Sequence, residues 1–146
     1  MQFLKVTTEE LDKVIPLFDQ YRQFYNQPSN LKGAASFLSA KIELNQSIIY
    51  LAEIEGQPAG FVQLYPTFSS VSMRKAFILN DLYVEKKFRG LGVAHALIEK
   101  CFAFCEQEQA KYLTLQTAPY NKAAKQLYEK MGMEIDTEYD SYIKSW

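Results

Sequence analysis

Apolar side chains recur along this chain at two spacings, and the spacing changes partway along. Phe3-Leu4-Lys5-Val6 reads as a short opening strand. Leu11, Val14, Ile15, Phe18 and Tyr25 then follow helical spacing. Between them Thr7-Thr8-Glu9-Glu10 fits a capping box, with Thr7 as N-cap and Glu10 reaching back. Pro16 lies inside the helical pattern, and its missing N–H predicts a kink or a split. Asn26-Gln27-Pro28-Ser29-Asn30 is a clear break, and a second helix is predicted from Lys32 to Glu43.

The period then shortens. Residues 47–54 read as a strand, Glu55-Gly56-Gln57-Pro58 as a turn, and residues 59–65 as the return strand of a hairpin. After a polar loop at Ser69-Ser70, another apolar run rises from Ala76 to Val84. The three runs predict an antiparallel meander. Helical spacing returns from Gly92 to Glu108, where Val93, Ala94, Leu97, Ile98, Cys101, Phe102 and Cys105 form one apolar face. Tyr112 to Thr117 reads as a strand, and Asn121 to Met131 as a helix with Gly132 as its C-terminal cap. Glu134-Ile135-Asp136 and Ser141-Tyr142-Ile143-Lys144 are predicted to close the sheet. The fold class is α/β, a mixed sheet flanked by helices.

Bulk properties narrow the function. The chain has 146 residues, which suits one compact domain spanning 1–146. A domain of this size buries roughly 70% of its unfolded surface, enough for a core without metals or disulfides. A net charge of -1 gives no global basic field for nucleic acid. The two cysteines, Cys101 and Cys105, read as buried thiols on one helix face; His95 is a poor companion for a metal site. The N-terminus is too short and polar-flanked for a signal peptide, and no apolar run reaches the ~20 residues of a membrane span. A soluble, cytosolic protein is expected.

The candidate chemistry starts at Arg89-Gly90-Leu91-Gly92-Val93-Ala94, between the strand ending at Val84 and the long helix. Glycine lets backbone N–H groups approach an anion, and the first N–H groups of a helix have no internal partners. Such a turn is an anion site. A Walker A loop is absent. The dinucleotide fingerprint fails because position 95 is His95 and the next strand ends in Gln116-Thr117. A glycine turn that only swings a strand into a helix is the plainer alternative.

Here the residues resemble a known family. Arg89-x-x-Gly92-x-Ala94 matches the turn [RQ]-x-x-G-x-[GA] of the GNAT acetyltransferases. Asn80-Asp81-Leu82-Tyr83-Val84 looks like that family's fourth strand, and residues 121–133 resemble its N-x-x-A-x-x-L-Y-x-x-x-G-F helix, with Met133 for Phe. The resemblance is strong from about Ala76 to Ile135. It implies a mostly antiparallel, V-shaped, splayed sheet of about six to seven strands with about four helices. It also implies an N-acetyltransferase using acetyl-CoA, with no metal, and dimers are common in the family. Residues Arg89, Gly90, Leu91, Gly92, Val93 and Ala94 would hold the CoA pyrophosphate through backbone N–H groups. The pantetheine arm would bond the main chain near Leu82, Tyr83 and Val84, and would touch Asn121, which can equally serve only as an N-cap.

Acetyl transfer to an amine sets further requirements. A lysine-like amine, with a pKa of about 10.4, arrives protonated and must lose a proton. The resemblance assigns the oxyanion donor to the Leu82 N–H and the proton for the leaving thiolate to Tyr128, which by position alone could be a packing residue. In polyamine acetyltransferases Glu-Asp stands where this chain has Asn80-Asp81. Asn80 cannot accept a proton, so Asp81 is the carboxylate left to take one through water or to hold the cationic amine. On the acceptor side the resemblance points to Tyr21, Arg22, Tyr25 and Phe68, with Phe24 and Tyr65 nearby. Aromatics at helical spacing also suit a core, and Arg22 also suits solvent. The acceptor is a small-molecule or lysine amine, with neither nucleic acid nor membrane as partner. A non-catalytic CoA-binding regulatory or interaction module is the alternative that Asn80 favours.

Overall fold

A computed structural model describes all 146 residues. The elements run β1 (Gln2–Lys5), α1 (Leu11–Phe24), α2 (Leu31–Glu43), β2 (Ile48–Ile54), β3 (Gln57–Ser69), β4 (Arg74–Val84), a 3₁₀ turn (Lys86–Phe88), α3 (Val93–Gln107), β5 (Leu113–Thr114) and α4 (Lys122–Lys130). They fall into two compact units, Met1–Gln116 and Thr117–Trp146.

The first unit is a five-stranded sheet in the order β1-β2-β3-β4-β5. Its first three pairings are antiparallel and only β4–β5 is parallel. The β2–β3 hairpin turns through Glu55 (φ 51°) and Gly56 (φ 76°), the two left-handed residues of a tight hairpin. Helix α1 places Leu11, Val14, Leu17 and Phe18 against Ala34 and Leu38 of α2 and against Ile49, Leu51 and Phe61 of the sheet. Phe61 is fully buried, and burial of one such side chain is worth about 1.5–3 kcal/mol.

Two local expectations shift. The Thr7–Glu10 box forms, with the Thr7 N–H and hydroxyl both donating to Glu10 Oε2 at 2.7 Å. It closes a turn ahead of the helix, which begins only at Leu11. Helix α1 also runs through Pro16 without splitting. The buried row around Pro16 outweighs one missing backbone hydrogen bond.

The sheet has fewer strands than the six to seven expected. β5 shrinks to Leu113–Thr114, and neither 134–136 nor 141–144 forms a strand. Those segments have an irregular backbone in the second unit, although their alternation is strand-like. The second unit is built on α4. Asn121 caps it by accepting from the Ala124 N–H at 3.2 Å. At the other end Gly132 (φ 91°) closes a Schellman motif: its N–H donates to the Glu129 carbonyl and the Met133 N–H donates to the Tyr128 carbonyl, each at 3.0 Å.

Candidate active site

A one-residue register shift builds the chemical centre of the first unit. Gln63 pairs with Asp81, but the next residue, Leu64, pairs with Leu79. Asn80 is therefore the extra residue of a β-bulge in β4. Because Gln63 and Leu64 point to opposite faces of the sheet, so do Asp81 and Leu79. Without the bulge Asp81 would share a face with Leu79. With it, Asp81 joins the face of Gln63, Phe61 and Tyr83, toward α1.

On that face Asp81 is 6% exposed and Gln63 is 0% exposed. Gln63 Nε2 donates to Asp81 Oδ2 and, at 3.3 Å, to the Tyr65 hydroxyl. Its Oε1 accepts from Ser47 Oγ at 2.6 Å, which fixes the amide orientation. Asn80 Nδ2 donates to the other carboxylate oxygen, Asp81 Oδ1, at 3.1 Å. Burial raises the Asp81 pKa, while the hydrogen bonds from Gln63, Tyr21 and Asn80 hold it down in part. Burial and then the nearby Asp81 push the Tyr65 phenol up to about 12. The Tyr21 phenol is raised by the same two causes.

Aromatic rings wall this carboxylate. Tyr21 meets Phe61 and Tyr83 edge-on, with centroids 6.0 and 6.3 Å apart, and Tyr25 lies 5.0 Å from Tyr21. Tyr25 itself is 60% exposed and forms the outer rim. Arg22 and Phe68 are not drawn in. Arg22 donates to the Pro28 carbonyl at 3.1 Å. Phe68 pairs with Lys75, five register steps from the Gln63–Asp81 pair, or about 17 Å at ~3.3 Å per residue.

The edge of β4 away from β3 is open along its second half. β5 pairs only with Phe77 and Ile78. The Glu85 N–H donates to the Ala59 carbonyl of β3 at 2.8 Å. Backbone polar groups alternate along an extended strand, so those of Leu82 and Val84 face away from β3, into the open edge. The Val84 carbonyl accepts from Arg89 Nε at 2.9 Å, and the Arg89 guanidinium lies 5.6 Å from the Tyr83 ring centre. Arg89 thus braces the strand to the turn that follows.

That turn exposes backbone donors at the start of a helix. Gly90 (φ 79°) and Gly92 (φ 82°) are both left-handed, a conformation that side chains disfavour. Gly92 caps α3, and the first helix-internal bond is from the Ala96 N–H to the Gly92 carbonyl at 3.1 Å. The N–H groups from Gly90 to His95 therefore lack helical partners. Leu91 is exposed above them, Val93 is buried beneath them, and Ala94 is half-buried in the first turn of the helix. Gly60 brings β3 close: a Cβ there would lie 2.8 Å from the Tyr83 carbonyl and 3.2 Å from Val93 Cγ1. A row of free donors at a helix N-terminus, continued by an open strand edge, fits a pyrophosphate joined to an amide-bearing arm. No group of three or more His, Cys, Asp or Glu is placed to hold a metal ion. No helix is long and apolar enough to cross a membrane.

In the second unit, Asn121 is the N-cap of α4 and half-buried Tyr128 lies in its last turn. Gln63 and Ser47 were invisible as site residues from sequence. The one trace of Gln63 was a polar residue in the middle of an apolar strand.

Comparison with known proteins gives the family. The model of the acetyltransferase (GNAT) family matches residues 14–133, a span that enters both units. A curated relative, "Uncharacterized N-acetyltransferase YhfO" of Bacillus subtilis, is 45% identical over 97% of this chain and 95% of its own length. A "Probable acetyltransferase" of Haemophilus influenzae is 30% identical over 81% of this chain and 82% of its own length. A solved structure described as a probable acetyltransferase is 34% identical and superposes with a TM-score of 0.95, covering 100% of this chain and 98% of that one. The chain belongs to the GNAT family of N-acetyltransferases and is an acyltransferase.

Proposed function

We propose that this enzyme transfers the acetyl group of acetyl-CoA to a primary amine, of a small molecule or of a lysine, by direct attack in a ternary complex. The 146 residues act as one catalytic domain, in the cytoplasm and as a homodimer. The observation that carries the reading is a buried carboxylate, Asp81, one residue from the outward-facing backbone of Leu82 and on the same strand that runs into the Gly90–Ala94 cradle.

Bound acetyl-CoA supplies an acetyl thioester. The N–H groups of residues 90–94 hold its pyrophosphate, and the Leu82 and Val84 backbone holds the amides of its arm. The Leu82 N–H is a preorganised donor for the oxyanion of acyl transfer. Asp81 holds the cationic amine and takes its proton. A carboxyl raised by burial is a better match to a neutral-pH proton transfer than an exposed one. Tyr21 and Tyr25 present ring faces and hydroxyls to the same cation. Asn80 acts on Asp81 through its hydrogen bond and takes no proton. The family resemblance, rather than the geometry, gives Asn121 a contact with the arm and gives Tyr128 the proton or hydrogen bond for the departing thiolate.

The test is release of free thiol from acetyl-CoA against a panel of amines from spermidine to lysine peptides. Saturable release with one class, lost in Asp81→Ala while acetyl-CoA still raises the melting temperature, is the expected result. Parallel loss of turnover and cofactor binding in Asp81→Ala would overturn the role of Asp81. Binding without release for any amine would favour a non-catalytic CoA-binding module.

A further inference from the structure

Helix α1 buries a second carboxylate that the mechanism does not use. Asp19 is 4% exposed, and it takes part in none of the chain's ion pairs. A buried charge needs partners, and those of Asp19 are hydrogen-bond donors. Its Oδ1 accepts from the Asn30 N–H at 2.7 Å. Its Oδ2 accepts from Ser29 Oγ at 2.7 Å and from Gln23 Nε2 at 3.0 Å. These bonds, that of the Asn30 N–H first, hold the Asp19 carboxyl below its ordinary range. Two of the three donors belong to the connection between α1 and α2, ten and eleven residues further on.

The rest of that connection is fixed too. Asn26 (φ 62°) ends α1 in a Schellman motif. The Asn26 N–H donates to the Gln23 carbonyl at 2.9 Å, and the Gln27 N–H to the Arg22 carbonyl at 3.0 Å. Arg22 holds the Pro28 carbonyl. Asn30 caps α2 by accepting from the Gly33 N–H at 2.9 Å, and a Cβ at Gly33 would lie 2.5 Å from the Asn30 side chain. All of 25–30 is exposed, and the two helices already pack through Val14, Phe18, Ala34 and Leu38. Joining them does not require a buried carboxylate. What the connection carries is Tyr25, its first residue. The Tyr25 ring lies 5.0 Å from Tyr21, with Phe24 edge-on behind it at 5.3 Å. Tyr21 in turn hydrogen-bonds Asp81.

We propose that Asp19 is a positioning residue for the acceptor: by fixing the 25–30 connection it holds the Tyr25 ring at the rim of the Asp81 site before the amine arrives. Asp19 touches no substrate and acts through Tyr25. A supporting residue of this kind matters because a loose rim must be ordered by the incoming amine, and that ordering weakens binding. Binding of acetyl-CoA makes no use of this rim, so the effect of Asp19 is confined to the acceptor. The inference rests on the acetyl-transfer reading, in which Asp81 holds the amine.

The test is a double-mutant cycle on the full chain, read by thiol release with spermidine and with a lysine peptide as amines. Asp19→Asn should raise the KM for the amine about tenfold, with kcat and acetyl-CoA affinity changed by less than about twofold. Tyr25→Ala should act alike, and the double variant should lose no more than the larger single effect, because both changes undo one rim. Single effects that multiply in the double variant would overturn the proposal. So would a lower melting temperature in Asp19→Asn with KM unmoved, which is the mark of a mere joint between helices. Ser29→Ala, which removes one donor from an exposed position, gives the same reading if Asp19→Asn does not fold. A rise in KM of about threefold, absent on the Tyr25→Ala background, supports the proposal, and an unchanged KM overturns it. Asp81→Ala separates the two layers. Thiol release with neither amine, or turnover kept in Asp81→Ala, brings down the acetyl-transfer reading and this inference with it. Turnover lost in Asp81→Ala, with independent effects at Asp19 and Tyr25, brings down this inference alone.

Discussion

The two ends of the proposed active strand present polar groups by opposite means. At the Gly90–His95 turn the donors are backbone N–H groups, exposed and held by two left-handed glycines. At Asp81 the charge is on a side chain, buried and held by other side chains, with Ser47 fixing Gln63 and Gln63 fixing Asp81. The first arrangement tolerates almost any neighbour, provided that its glycines remain. The second depends on every partner, because a buried polar group without one costs about 1–3 kcal/mol. Under the proposed function, the first would be robust and general and the second fragile and selective, a division that suits a common cofactor and a particular acceptor.

The largest effect that would sharpen this contrast is at Asp81. Asp81→Asn should lower turnover by about 10²-fold or more, the usual contribution of a proton-accepting group, with little change in acetyl-CoA affinity by calorimetry. The same variant should melt higher near neutral pH. The Asp81 carboxyl is raised in the folded state, so the native state binds more protons than the unfolded one above the ordinary carboxylate range. Stability is therefore lost as pH rises through that window, and Asn removes the loss. The melting-temperature gap should shrink as pH falls below the ordinary carboxylate range. A gap of opposite sign would show that the carboxylate is stabilised where it lies.

Next in size is Gln63→Met. It takes a hydrogen bond from Asp81 that lowers its pKa, so the acid limb of the pH–rate profile should move to higher pH and turnover should fall about tenfold. A purely structural role would lower stability and leave the limb in place. At the other end, Gly92→Val forces a branched side chain into a φ of 82°. Strain of about 1–2 kcal/mol should weaken acetyl-CoA binding about tenfold and leave the pH profile unmoved. Were Gly92→Val to shift the profile, the two ends would be coupled rather than separate. The smallest effect belongs to the second unit. Asn121→Ala should cost about 1 kcal/mol by losing the bond from the Ala124 N–H, seen as a lower melting temperature.

Sequence reading and structure agree best where the backbone does the work. The glycine turn, the Gly132 cap and the meander followed from local residue chemistry, since a left-handed φ or a missing Cβ leaves a mark on the sequence itself. Agreement was poorer where partners lie far apart. Arg22 and Phe68 looked suitable as acceptor contacts by residue type, yet one is spent on the Pro28 carbonyl and the other sits at the far end of its strand.

By itself, then, the sequence determined the order of elements, the glycine turn ahead of α3 and the family motifs, because each is written in contiguous residues with local conformational demands. Only the tertiary structure decided what Asp81 faces. One extra residue at Asn80 reverses the side of the sheet to which the following residues point, and no spacing in β4 reveals that register. Gln63 and Ser47, 18 and 34 positions before Asp81, meet it through strand pairing alone. The C-terminal residues show the limit from the other side: 134–144 carry the alternation of a strand and form none, because alternation fits a pleated surface without by itself making one.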